Sequence, residues 1–81
     1  MMYYVISTEL DGNTGLSDPD VMIADDMTEA RDEMITWLQS HRYGMDREQY
    51  DCALERLIAW EGEEIKISHD DGPYIKCVSS R

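Results

Sequence analysis

Met45-Asp46-Arg47-Glu48-Gln49-Tyr50 opens the stretch that decides the fold, and the stretch runs on through Asp51-Cys52-Ala53-Leu54-Glu55-Arg56-Leu57-Ile58-Ala59-Trp60-Glu61 to Gly62. Asp46 has the short acceptor side chain of an N-cap. Gln49 stands three residues later, where it can reach back to the cap's own amide. Met45 and Tyr50 flank the pair at hydrophobic-staple spacing. Tyr50, Ala53, Leu54, Leu57 and Trp60 recur at three- and four-residue steps, which is one stripe of a helix. Gly62 is the natural C′ residue.

Upstream, Asp26-Met27-Thr28-Glu29 fits another capping box, and Met27, Ala30, Met34, Trp37, Leu38 and His41 form a second stripe that Gly44 ends. So few residues join the two helices that they are expected to pack as an antiparallel pair. Before them, Tyr3 to Leu10 is rich in aromatic and β-branched residues on both faces, which suits an interior strand. Asp11-Gly12-Asn13-Thr14-Gly15 is turn chemistry, and the loop continues through Ser17-Asp18-Pro19-Asp20. Val21-Met22-Ile23-Ala24 then reads as a short second strand. After the helices, Glu64 to Ser68 and Tyr74 to Val78 form a hairpin around Asp70-Asp71-Gly72-Pro73. A two-residue loop would set Lys76 opposite Ile67. An odd loop aligns Ile65 and Ile67 with Ile75 and Cys77, and we favour it because a one-residue slip exchanges faces. The order ββααββ gives an α+β domain over residues 1–81: an antiparallel sheet with both helices on one face.

The chain has 81 residues, 18 of them acidic and seven basic, for a formal charge of -11. With 42% hydrophobic residues, five Tyr and two Trp, it is too apolar for a disordered acidic tail. At this length roughly 60% of the chain's surface is buried on folding, which leaves little room for an enclosed cofactor, and none is expected. The charge excludes phosphate binding to DNA or RNA, which needs a basic patch, and excludes anionic membrane surfaces. Met1 to Leu10 lacks the basic start of a secretory leader. Two cysteines are too few for a disulfide framework, so the expected location is cytoplasmic, with reduced thiols.

From Glu9 to Glu33 there are nine acids and one base, Arg31. In the first helix Glu29, Asp32 and Glu33 lie off the apolar stripe. In the second, Glu48, Asp51 and Glu55 fall at i, i+3 and i+7, one line along a face. Their axial spacing of about 5 Å is of the order of phosphate spacing, so a basic groove could accept this line in place of nucleic acid. The competing reading is a solvated face serving solubility, although ordinary soluble surfaces intersperse both signs.

Other chemistries are weaker. Asp11, Asn13 and Gly15 match the start of a calcium loop, but Leu16 stands where Gly is required and Met22 where a bidentate Glu is required. His69-Asp70-Asp71 is a turn without a partner cluster, so no metal site is expected. Catalysis would need a nucleophile with a base and an orienting group, and only Cys52, Cys77, His41 and His69 offer themselves; the chain is read as a non-enzyme. Tyr3, Val5, Lys66, Ser68, Tyr74, Lys76 and Val78 fall on the sheet face away from the helices. They would serve an accessory subunit that dimerises through that face, the alternative to partner binding through the acids.

In size, charge and compactness the whole chain resembles the small acidic DNA-mimic and anti-CRISPR inhibitors carried by bacteriophages, although no motif is shared. The resemblance implies an inhibitor inside a bacterial host that engages a basic nucleic-acid-binding protein or complex, without catalysis.

Overall fold

Alternation governs the sheet. In the computed structural model, which describes residues 3–9, 20–42, 45–68 and 74–80, the first strand β1 spans Tyr3–Glu9. Tyr4, Ile6 and Thr8 are buried along one face of it, while Tyr3 is exposed on the other. Strand β2 is Asp20–Ala24, β3 is Ile65–Ser68 and β4 is Tyr74–Ser80. They form one antiparallel sheet in the order β2-β1-β4-β3, so the two-sided apolar strand β1 is interior, as its composition requires. The register sets Ile65 opposite Cys77 and Ile67 opposite Ile75. This is the odd-loop alignment, and it puts all four side chains on the core face.

Helix α1 spans Met27–Ser40 and α2 spans Arg47–Ala59. They lie as an antiparallel pair on the core face, and Ala30, Met34, Leu38, Ala53 and Leu57 join the sheet residues and Trp60 in a single core. The Asp46 cap is a complete capping box: Gln49 N donates to Asp46 Oδ1 at 2.8 Å, and Asp46 N donates to Gln49 Oε1 at 3.0 Å. The α1 start departs from expectation. Glu29 N donates to Asp26 Oδ1 at 2.8 Å, but the Glu29 carboxylate reaches past the cap and accepts from Asp25 N at 3.2 Å. Helix α2 ends at Ala59 with Trp60 as its cap, so Gly62 sits beyond the C′ position. Its φ of 98° still demands glycine, and a Cβ there would stand 3.1 Å from Tyr4 Oη and 3.3 Å from Met27 Sδ.

Trp60 is buried and meets Tyr4 edge-on, with centroids 5.2 Å apart. Trp37 is half-buried and stacks on His41 at 4.6 Å. The Asp11–Gly15 turn and its calcium-loop match, the Ser17–Pro19 loop, Gly44, and the His69–Pro73 turn lie outside the described residues. No helix among the described residues is long and apolar enough to cross a membrane.

Candidate partner-binding surface

A helix turns about 100° per residue, so the buried positions fix where each acid points. On α1, Ala30, Met34 and Leu38 face the core. Glu29 and Asp32 lie on the opposite side and Glu33 on the flank, about 100° from the buried stripe, and all three are exposed. On α2, Ala53 and Leu57 face inward, and Glu48, Asp51 and Glu55 lie opposite and exposed. The two helices are in contact and share one side of the sheet. Five of the six carboxylates therefore stand in two rows on the outer surface of the helix layer, and Glu33 stands on its flank.

The arginines explain why these rows keep their charge. Arg31, the lone base of the acid-rich segment, turns away from them. Its Nε donates to Leu57 O at 3.2 Å and its Nη2 donates to Trp60 O. The guanidinium also lies over the Trp60 ring, 5.9 Å from its centroid. Arg31 thus holds the C-terminal carbonyls of α2, where a cation also complements the helix dipole. Arg56 reaches toward the sheet, where Nη2 donates to Lys66 O at 3.0 Å. Arg42 lies over the Tyr50 ring at 4.8 Å. Among the described residues only Arg47 meets one of the six acids, with Nε 3.9 Å from Asp51 Oδ2. That pair is long, and its side chains are 96% and 59% exposed; such pairs contribute about 0–1 kcal/mol. The two described lysines sit on the far side of the sheet. Lys66 and Lys76 are directly opposite in register, and Lys76 Nζ lies 3.8 Å from Glu64 Oε1.

A shallow depression follows the outer face of α2, lined by Arg47, Glu48, Asp51, Cys52 and Glu55. A second lies at the junction of the helices, between Arg42, Met45, Asp46 and Tyr50. Neither brings a histidine beside a cysteine. Cys52 is exposed and Cys77 is buried. Burial pushes the Cys77 thiol up to about 11, away from nucleophilic use at neutral pH. His41 closes α1, its Nδ1 donating to Trp37 O at 2.9 Å. Among the described residues no three His, Cys, Asp or Glu side chains come together as metal ligands.

The acid rows were legible from sequence spacing; the diversion of Arg31 and Arg56 was not. Its only signal was Arg31's isolation among nine acids. No protein-family model, curated protein or solved structure matches the chain.

Proposed function

We propose that the protein is an acidic inhibitor that occupies a basic nucleic-acid-binding surface of a partner, in place of DNA or RNA and without catalysis. This is the manner of the phage-borne mimics and anti-CRISPR proteins that it resembles in size and charge. One observation supports the reading above the others: Glu29, Asp32, Glu33, Glu48, Asp51 and Glu55 project from one helix layer while Arg31, Arg42 and Arg56 are drawn elsewhere and Arg47 meets Asp51 only at 3.9 Å. A surface built for solubility alone intersperses the two signs. Its partner's lysines and arginines would neutralise the rows as they neutralise phosphates, and the -11 charge would steer encounter. Acting there puts the protein in the cytoplasm of a bacterial host.

The test begins with capture from host lysate, with washes at low and then high salt. A nucleic-acid-binding protein released by salt and displaced by DNA or RNA is the expected catch. Glu48→Lys, Asp51→Lys and Glu55→Lys together should then weaken that complex by on the order of 100-fold or more, with the circular dichroism spectrum unchanged. A folded triple variant that binds as well as the parent refutes the role of α2. Asp26 and Asp46 are unsuitable targets, because loss of a cap costs about 1 kcal/mol.

A further inference from the structure

The two edges of the sheet are built differently. Edge strand β3 has four residues, carries Lys66, and gives the Lys66 carbonyl to Arg56. Short length, a lysine and a covering side chain are the usual protections of an edge. Edge strand β2, Asp20-Val21-Met22-Ile23-Ala24, is one residue longer, has no lysine, and among the described residues no side chain bonds its outer backbone. Among the described residues nothing hydrogen-bonds its outer flank. Val21 and Ile23 stand 59% and 64% exposed on the face away from the helices, where Ile23 continues the row through Val5 to Val78.

From this contrast we infer that β2 pairs antiparallel with β2 of a second copy, about a two-fold axis at Met22, joining two sheets into one of eight strands. The sequence of β2 is self-complementary in that register. Val21 faces Ile23 of the second copy on the open face, Met22 faces its own counterpart on the helix side, and Asp20 faces Ala24. Cross-strand pairs of β-branched residues are favourable, and no acid of the strand opposes another acid. Shifting the axis by one residue position along the strand leaves one end unpaired. Stacking the open faces instead would cover Lys66, Lys76 and Glu9, whose desolvation is costly; edge pairing leaves them in water. Helix α1 packs on β1 and β2, so this pairing also brings the two α1 helices toward each other, and their acids add to the repulsion that salt must screen.

One strand edge is a small interface, so the dimer is weak, with a dissociation constant on the order of 0.1 mM. Two chains of -11 repel, so salt strengthens it. Between ~0.1 M and ~1 M the screening length falls from about 10 Å to about 3 Å, and the dissociation constant should drop several-fold. Sedimentation equilibrium across chain concentration and salt tests this. Ile23→Lys and Val21→Lys, at exposed positions that spare the fold, should each give a monomer. Val78→Lys, on the open face but on the inner strand β4, should still dimerise. A parent chain that stays monomeric at about 1 mM in high salt overturns the inference. So does a dimer that Val78→Lys abolishes, which would mean stacked faces, or one that salt dissociates. None of these variants touches the acid rows, so the result is independent of the proposed inhibition.

Discussion

Replacing Arg31 by Met keeps much of the side chain's bulk and removes its fork of donors. Leu57 O retains a bond from Trp60 N at 3.3 Å, whereas Trp60 O has no other described donor. Hydrogen bonds to a charged group contribute about 1.5–3 kcal/mol each, and a cation at a helix C-terminus adds about 0.3–1 kcal/mol. Because one carbonyl stays satisfied, a net loss of about 2–4 kcal/mol is expected. That is a large share of the ~5–15 kcal/mol typical of a domain, and at this size it lowers Tm by on the order of 10–20 °C. Urea denaturation followed by circular dichroism measures the loss. Arg47→Met is the control: it removes the same charge from a 96% exposed side chain paired at 3.9 Å, and should change stability by no more than ~0.5 kcal/mol. Arg31→Lys keeps the charge without the planar fork and should fall between the two. If Arg31→Met and Arg47→Met destabilise equally within ~0.5 kcal/mol, Arg31 is an ordinary surface base and the account of why the acid rows stay unneutralised fails.

Two further outcomes follow from the core. Thr8 is 2% exposed and its Oγ1 has no hydrogen-bond partner among the described residues; Thr8→Val removes a buried, unsatisfied hydroxyl and should stabilise the protein by about 1 kcal/mol, read as a higher urea midpoint with an unchanged slope. Cys77 has its thiol raised from 9.0 to about 11 by burial, so the unfolded chain loses that proton first: stability is full below pH 9 and falls by up to about 2–3 kcal/mol as pH rises to 11, a slope that should be shallower in Cys77→Ala, while Ellman's reagent titrates Cys52 at once and Cys77 only on unfolding.

Local signals carried most of the fold. The Asp46–Gln49 box, the two apolar stripes and the register of the last hairpin each depend on neighbours in sequence, and each is observed. The departures arise where a distant group competes. Glu29 reaches Asp25 rather than Asp26. Gly62 answers to the approach of Tyr4 and Met27 rather than to the end of α2. The six acids were legible as exposed because helical spacing sets them off the buried stripes. Arg31 and Leu57 are 26 residues apart in the chain, and no local pattern links them. Exposure of Val21 and Ile23 was hidden for the same reason: a four-residue apolar run reads as buried, and only the strand order shows β2 to be an edge.

The two proposed contacts would differ in the sign of their response to salt. In the proposed inhibition, acids on the helix layer would meet a basic partner through charge, so added salt would weaken that complex. In the inferred dimer the β2 edge would meet its own copy through backbone and apolar groups against net repulsion, so added salt would strengthen it. Both can hold in one molecule because the helices and the β2 flank look in different directions. Pairing at β2 would also bring two helix layers into one assembly, giving a partner four acid rows in place of two. A basic target long enough to span both copies would then bind the dimer more tightly than twice the monomer would suggest, and Ile23→Lys would weaken capture without altering a single carboxylate.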